Sequence, residues 1–340
     1  MDINILLALQ NFREGAGAFL SDFFLKMTFF GELNIVLILF AGIYWCISKK
    51  TGAYLLMGWS WNRILNGFLK ITFCAYRPWI RDPRIVPDET AIVTATGYSF
   101  PSGHSMNGGS LFGGLAIGTK NKRLKAVCWI MVALIAFSRI FLGVHTPQDI
   151  LVGVVLAPLV MLLIYKLLGK YGESEKAMLW MVIIPVVLDI VLAVYAGVKN
   201  YPVDLDAAGN VLVDGAKMAN DTFKNIGWSL AFFLGWFVEK KWINFPDCET
   251  KAQAAVRLIC GLLGFYIFNI ILCPWVKSAF GGTLGTAASC FLIMLYITVI
   301  FPALIVLTEK KQEKKQKSHD INARKRQFPK VSEVLIERNY

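Results

Sequence analysis

Long apolar stretches alternate with short polar connections over most of the chain. An α-helix rises about 1.5 Å per residue, so about 20 apolar residues cross a hydrocarbon core of about 30 Å. Nine stretches are predicted to span a membrane: 29–48, 52–72, 103–119, 125–144, 149–168, 177–197, 226–239, 254–273 and 285–308. The stretch at 226–239 is short and is expected to borrow residues from its flanks. The pattern therefore predicts an all-α, polytopic membrane bundle of about nine transmembrane helices.

The composition agrees with a membrane protein and excludes other classes. The 340 residues are 56% hydrophobic and 17% charged, whereas a soluble domain has about 25% charged residues. The net charge of +12 arises from basic residues in short connections and in the tail, so no nucleic-acid partner is predicted. The seven cysteines are scattered without a CxxC pair, which predicts neither a disulfide framework nor a zinc site.

The basic residues of the connections fall on one side of the membrane if the nine stretches alternate in direction. They are Lys49, Lys50, Lys120, Lys122, Arg123, Lys125, Lys166, Lys170, Lys176, Lys240, Lys241, Lys251, Arg257 and those of the tail. Cytoplasmic connections carry an excess of Lys and Arg, so this side is predicted to be cytoplasmic. The amino terminus is then outside and the carboxyl terminus inside, with the connections 77–101, 198–225 and 274–284 on the outer face.

Four regions follow from this organisation. Residues 1–28 are predicted to form an amphipathic helix in the interface, and 29–198 a membrane core. Residues 199–308 would supply an outer loop and additional transmembrane helices, and 309–340 a basic cytoplasmic tail. Alternating residues around AAGN predict a short hairpin within 198–225. No feature of the sequence predicts an oligomeric state.

Ionisable residues gather where the predicted helices meet the outer face. A charged residue at the bilayer centre costs about 2.5–3.5 kcal/mol on insertion scales, so such residues point to function. The set comprises Lys70, Arg77, His104, Arg139, His145 and Asp149. Its three cations have no acidic neighbours to pair with, which predicts a receptacle for a multiply charged anion such as phosphate.

Two short segments suggest how the histidines of this set are used. In PSGHS, Ser102 can cap a helix while Gly103 lets an anion approach the backbone. In HTPQD, Thr146 can cap the next helix and place Asp149 within reach of the His145 ring. A carboxylate that holds one ring nitrogen leaves the other free as a nucleophile, and His104 can protonate a leaving oxygen. Phosphoryl transfer through a covalent histidine intermediate is the reaction these groups predict.

Three sequence blocks resemble the type 2 phosphatidic acid phosphatase superfamily: KITFCAYRP, PSGH and SRIFLGVHTPQD, at 70–78, 101–104 and 138–149. The resemblance covers about 70–168 and implies a catalytic core of five to six helices. It implies phosphate binding by Lys70, Arg77, Arg139, Ser102 and Gly103. It also implies His145 as the nucleophile, Asp149 as its orienting carboxylate and His104 as the general acid. The family is metal-independent, so neither a metal nor another cofactor is expected.

The resemblance implies a phosphatase acting on a lipid phosphate or diphosphate at the outer face of a membrane. That face would be periplasmic, extracellular or lumenal, and a bacterial inner membrane is the expected location. Undecaprenyl diphosphate, phosphatidylglycerol phosphate and phosphatidic acid are the expected substrates. One alternative is a soluble phosphomonoester, since glucose-6-phosphatase of the same superfamily also has nine spans and a similar length. The other alternative is a non-catalytic lipid-binding or transport protein.

Four further expectations concern residues outside the three blocks. Asp189 lies in a predicted span and is expected to pair with a polar neighbour. Arg81 and Arg84 could steer an anionic substrate towards the site. Small residues at 109, 113, 114 and 118 predict close helix packing. The loop 198–225 is expected to cover part of the site.

Overall fold

A computed structural model describes residues 2–309, and all regular structure in this range is helical. The α-helices are α1 (Asp2–Ala16), α2 (Ala18–Phe29), α3 (Leu33–Gly42), α4 (Lys49–Phe73), α5 (Pro78–Arg81), α6 (Glu89–Ile92), α7 (Gly103–Gly108), α8 (Gly114–Gly118), α9 (Lys122–Phe141), α10 (Pro147–Tyr171), α11 (Glu175–Val198), α12 (Gly215–Val238), α13 (Lys251–Ile267), α14 (Cys273–Phe280) and α15 (Gly282–Leu295). Five-residue π-helical segments begin at Ile43, Gly109, Glu239, Phe268 and Tyr296. The all-α prediction is confirmed.

The helices suit a polytopic membrane protein, but the count of nine spans is not confirmed. Five helices are long and apolar enough to cross a membrane: Lys122–Phe141, Pro147–Tyr171, Glu175–Val198, Lys251–Phe280 and Gly282–Glu309. A bent pair, Ala18–Phe29 and Leu33–Ile47, would make a sixth. The other expected spans correspond to α4, α7 with α8, and α12. Polar residues buried between helices, such as Asn62, Asn107 and Asn225, lower the hydropathy of these segments.

The chain bends where the expected first span at 29–48 begins. α2 ends at Phe29, α3 begins at Leu33, and their axes differ by 50°. A Cβ added to Gly31 would lie 2.8 Å from Ile135 and 3.2 Å from the His104 backbone oxygen, so the chain passes very close here. Asn107 donates a hydrogen bond to the Gly31 carbonyl at 2.9 Å. The bend thus brings the α2–α3 connection against the segment that carries His104.

The short span expected at 226–239 borrows residues from its amino-terminal flank, as predicted, and none from the other flank within α12. Asp214 accepts a hydrogen bond from the Ala216 backbone and caps α12, which therefore starts at Gly215. The helical turns before residue 226 contain polar residues, so hydropathy alone does not assign them to a membrane span. α12 packs against α4, α11 and α15, so it connects the helices before residue 200 with those after residue 250.

The small residues of the expected third span allow close packing, as predicted. Cβ atoms added at Gly109 and Gly113 would lie 3.0 Å from Ala157 and 3.2 Å from Pro158 of α10. A Cβ at Gly114 would lie 2.6 Å from the Met161 methyl group. α10 therefore lies directly against the helix that follows His104.

The predicted hairpin within 198–225 is reduced to a single antiparallel bridge between Leu205 and Val211. The Asp206 carboxylate accepts hydrogen bonds from the Ala208 and Asn210 backbones, so a side chain rather than a facing strand binds these groups. Within residues 2–309 no longer strand forms. The predicted tail 309–340 lies outside the described residues, except for Glu309.

Candidate active site

The three sequence blocks meet at one end of the bundle. Lys70 lies in the last turn of α4 and His104 in the first turn of α7, while Arg139 lies in the last turn of α9 and Asp149 in the first turn of α10. Because successive helices run in opposite directions, these positions share an end. The Ser102 backbone N–H donates to the Asp149 carbonyl at 3.1 Å, which joins the second block to the third.

Asp149 holds the His145 ring through a local helix cap. Thr146 is the N-cap of α10 and Pro147 its first residue, as predicted. The Thr146 hydroxyl accepts from the Asp149 backbone, and an Asp149 carboxylate oxygen accepts from the Thr146 backbone at 2.8 Å, which completes a capping box. The same oxygen lies 3.3 Å from His145 Nδ1. The cap therefore fixes the carboxylate where it can orient the ring.

Arg77 determines which ring nitrogen of His145 carries the lone pair. A terminal nitrogen of its guanidinium lies 2.9 Å from His145 Nε2. A guanidinium only donates hydrogen bonds, so Nε2 must accept this one. The proton of the neutral ring is then on Nδ1, where it faces the Asp149 carboxylate. The nitrogen that would act as a nucleophile is Nε2.

His145 is neutral in these surroundings. Its side chain is buried, and burial lowers the pKa of the imidazole well below the usual range because the charged form loses hydration. The neighbouring Arg77 charge lowers this pKa further, and Asp149 opposes the shift. A neutral ring at ordinary pH keeps the Nε2 lone pair available.

Both arginines of the set are buried and held by uncharged oxygens. Arg77 donates to the carbonyls of Gly97 at 3.0 Å and Val144 at 2.8 Å. Arg139 donates to the hydroxyls of Thr28 at 2.7 Å and Thr94 at 3.5 Å. Within residues 2–309 neither guanidinium forms an ion pair with a carboxylate. Their charges therefore remain to balance an anion.

Three further residues predicted to bind phosphate lie around the start of α7. Lys70 donates to the Tyr98 carbonyl at 2.9 Å. Ser102 is fully buried and caps α7, as predicted, by accepting from the Ser105 backbone at 3.4 Å. No atom would lie within 4 Å of a Cβ at Gly103, so the space beside this backbone is open.

Two buried nitrogen atoms of the set have no hydrogen-bond partner in the described part of the chain. They are Nε2 of His104 and Nε of Arg139. Buried polar groups are almost always satisfied in proteins, so such atoms call for an explanation. The oxygens of a bound phosphate would supply the missing acceptors.

A cavity of about 260 Å³ opens beside these residues. Lys70 and Gly103 line it, together with Thr94 and Thr96. His145, Arg77 and Arg139 lie behind this wall, since Thr94 contacts Arg139 and the Thr96 carbonyl accepts from Arg77 at 3.3 Å. The structure thus brings the cations and both histidines to one region, with part of the set directly on the cavity.

The other expected outer-face features lie close by. Arg81 pairs with Asp2 at 2.8 Å and Arg84 with Asp82 at 2.7 Å, so their charges are largely balanced and their steering role stays a prediction. The Sδ atom of Met218 accepts from the Tyr98 backbone at 3.2 Å, which places the start of α12 beside the site. Val213, in the preceding loop, packs in the same cluster. Partial coverage of the site by 198–225 also stays a prediction.

Three residues that the sequence did not predict form hydrogen bonds with predicted site residues. The Ser99 hydroxyl donates to the Asp149 carboxylate at 2.5 Å and lies 3.3 Å from His145 Nδ1. Thr28 and Thr94 bind Arg139. All three are common residue types far from their partners in sequence, and no local pattern distinguishes them. The one available signal is that Ser99 lies three residues before Ser102, and so close to the PSGH block.

Comparison with known proteins agrees with this geometry. Residues 51–173 match the model of the PAP2 superfamily, and residues 223–313 match that of the PAP2 superfamily phosphatase, transmembrane extension. No solved structure matches the chain.

Two curated proteins show the same relationship. Phosphatidylglycerophosphatase B of Bacillus subtilis (strain 168) is 29% identical over 153 residues, which are 42% of this chain and 69% of the relative. Lipid A 4'-phosphatase of Porphyromonas gingivalis is 31% identical over 121 residues, which are 34% of this chain and 49% of the relative. The chain therefore belongs to the PAP2 superfamily and is an integral-membrane phosphatase that carries the transmembrane extension of that family.

Proposed function

We propose that the protein hydrolyses a lipid phosphate at the outer face of its membrane through a phosphohistidine intermediate on His145. The observation that carries the proposal is the His145 ring, held between the Asp149 carboxylate on Nδ1 and the Arg77 guanidinium on Nε2. This arrangement fixes the tautomer of the ring and places a cation beside the attacking nitrogen.

The reaction has two displacements at phosphorus. In the resting site Arg77 donates a hydrogen bond to Nε2 of His145. When substrate binds, Arg77 donates to a phosphate oxygen instead, and this exchange frees the Nε2 lone pair. Nε2 then forms a bond to phosphorus while the ester P–O bond breaks, and His104, which must be protonated when the anionic substrate is bound, gives this proton to the leaving oxygen and becomes neutral. Water, deprotonated by His104, next attacks phosphorus and breaks the P–N bond. Inorganic phosphate leaves, and both histidines return to their initial state.

The charge that develops on the phosphoryl oxygens is stabilised by groups that are already in place. Lys70, Arg77 and Arg139 would supply the positive charge, and Ser102 with the Gly103 backbone would supply further donors. The arginines are fixed by carbonyl and hydroxyl acceptors, so little reorganisation is required. A divalent cation would have to enter against these charges, which supports a metal-independent reaction.

A lipid substrate is supported by the names of the two relatives, which both denote phosphatases of lipids. The outer face is supported by charge. Residues from the predicted cytoplasmic connections contact one another at the end of the bundle opposite the site, as in the pairs Lys49–Glu239 and Lys240–Glu173, both at 3.2 Å. Because cytoplasmic connections carry an excess of Lys and Arg, this basic end is assigned to the cytoplasm, and the site then lies at the outer face.

A soluble phosphomonoester is the second candidate, and the cavity supplies the observation that favours it. Most of the residues lining the cavity beside Lys70 are polar or charged. A polar vestibule suits a sugar phosphate, whereas an opening lined by apolar residues would suit a lipid chain.

The test is phosphate release by the purified protein in detergent with a chelator present. Phosphatidic acid, phosphatidylglycerophosphate, undecaprenyl diphosphate and glucose 6-phosphate are compared in parallel, with His145→Ala as the matched control. Release from one or more lipids, lost in the variant, is the expected result. Release from glucose 6-phosphate alone would support the second candidate. Release that requires added magnesium, or that survives His145→Ala, would contradict the proposed mechanism.

A further inference from the structure

Arg63 places a second cation on the wall of the cavity that Lys70 and Gly103 line. It lies on α4, seven residues before Lys70, and its side chain is half-buried. Seven residues are about two helical turns, so Arg63 and Lys70 share a face of α4 with backbones about 10 Å apart. Neither the sequence blocks nor the proposed mechanism uses Arg63.

The Arg63 guanidinium is held in one orientation by neutral acceptors. Its Nε and one terminal nitrogen donate to the Asn225 amide oxygen at 3.0 and 2.5 Å, and the other terminal nitrogen donates to the Asn107 amide oxygen at 3.2 Å. Both asparagines are buried. The guanidinium also lies 5.6 Å from the centre of the Trp59 ring. A guanidinium has five N–H groups, so each terminal nitrogen keeps one donor beyond these bonds.

The charge of Arg63 has no carboxylate partner in the described part of the chain. The acidic residue in the cavity lining, Asp221, pairs with Lys224 at 2.7 Å. That pair is internally neutral, and Arg63 and Lys70 together leave two positive charges on the wall. A cation oriented by amides rather than neutralised by a carboxylate is ready to bind an anion.

We propose that Arg63 forms a second anion subsite, which binds a non-reacting phosphate of the substrate while Lys70 and its neighbours bind the reacting one. The inference rests on the proposed function and specifies the substrate class. The two residues lie two helical turns apart on α4, a spacing that suits two phosphates joined by a spacer such as a polyol or a sugar.

The test compares two lipid substrates of the full-length protein in detergent. Phosphatidylglycerophosphate carries a phosphodiester separated by glycerol from the reacting phosphate, and phosphatidic acid carries the reacting phosphate alone. The quantity measured is the ratio of kcat/KM for the first lipid to kcat/KM for the second. Arg63→Gln should lower this ratio at least about tenfold, mainly through KM. Lys217→Gln, which removes an exposed cation of α12 outside the cavity, should leave the ratio as in the wild type.

A second variant keeps the proposal testable if Arg63→Gln fails to fold. Asn225→Asp keeps the size of the side chain and sets a carboxylate against the Arg63 guanidinium, so it should also lower the ratio. Equal losses on both lipids, or an unchanged ratio in both variants, would overturn the subsite while the phosphatase activity stands. No hydrolysis of either lipid by the wild type would instead overturn the proposed function, and the subsite with it.

Discussion

Two carboxylates buried in the bundle, Asp149 and Asp189, differ in what surrounds them. Both accept a hydrogen bond from a serine hydroxyl, Ser99 at 2.5 Å for Asp149 and Ser229 at 2.6 Å for Asp189. Asp149 also accepts from a backbone N–H and faces the His145 ring. Asp189 forms no ion pair within residues 2–309, and the pairing with a polar neighbour predicted for it is confirmed.

The comparison shows that burial of an acid in a membrane helix does not by itself identify an active site. A carboxylate paired with a hydroxyl ties two helices together, as Asp189 and Ser229 tie α11 to α12. A carboxylate that orients an imidazole beside a cation prepares a nucleophile. Activity should therefore be sensitive to substitution of Asp149 and its contacts and insensitive to substitution of Asp189.

The largest effect is expected from His145→Ala, which removes the proposed nucleophile. Turnover should fall at least about ten-thousand-fold, because the group proposed to form the covalent intermediate is missing. Phosphate release from the preferred lipid measures the effect, and size-exclusion chromatography in detergent controls for folding. Residual activity within about tenfold of the wild type would remove His145 from the mechanism.

Asp149→Asn and Asp189→Asn form a matched pair with very different expected results. The amide introduced at position 149 can donate to Nδ1 of His145, which would shift the ring proton to Nε2 and block attack. A loss of about a hundredfold to ten-thousandfold in kcat is expected. Asp189→Asn should change kcat by less than about threefold. Equal losses in the two variants, measured at matched thermal stability, would contradict the contrast.

The pH dependence of kcat should reveal the neutral state of His145. Burial and the Arg77 charge lower the pKa of the ring, so the neutral form persists below the ordinary histidine value of about 6.5. Activity should be lost only as the pH falls through this lowered pKa. Arg77→Gln removes one cause of the shift and should move the acidic limb to higher pH while reducing kcat. An acidic limb above about pH 6.5 in the wild type would argue against the assignment.

Ser99→Ala removes the hydroxyl that donates to the Asp149 carboxylate and lies 3.3 Å from His145 Nδ1. A loss of about tenfold in kcat is expected, because one neutral donor to a charged acceptor is missing while the capping box remains. Ser99→Thr, which retains the hydroxyl, should restore part of the rate. A rate equal to that of the wild type for Ser99→Ala would limit Ser99 to packing.

Ser229→Ala is expected to affect stability rather than activity. It leaves Asp189 buried without its hydroxyl donor, which costs about 1–3 kcal/mol. The midpoint of thermal unfolding in detergent should fall while kcat stays within about twofold of the wild type. A selective loss of kcat at unchanged stability would give this pair a functional role.

The sequence predicted the local features of the site because they depend on neighbouring residues. Caps at Ser102 and Thr146 follow from hydroxyls placed directly before helices, and the reach of Asp149 back to His145 follows from the first helical turn. The count of nine spans is not confirmed, for a different reason. Hydropathy averages over all faces of a helix, so it cannot separate polar residues that face neighbouring helices from those that would face lipid.

The remaining features depend on contacts between residues distant in the chain. Ser99 meets Asp149 across 50 positions, and Arg63 meets Asn225 across 162. No local pattern encodes such pairs, and a serine or an asparagine in a membrane helix is not distinctive. The close approach of Gly31 to His104, between α2 and α3, depends on such a distant contact as well.

Trapping the phosphorylated protein during turnover tests directly whether His145 is the nucleophile. A lipid with a radiolabelled terminal phosphate is mixed with the enzyme and quenched in alkali, which preserves phosphohistidine, and the labelled peptide is then identified. Label is expected on His145, lost on brief acid treatment and absent from His145→Ala. Label on any other residue, or phosphate release by His145→Ala at the wild-type rate, would contradict it.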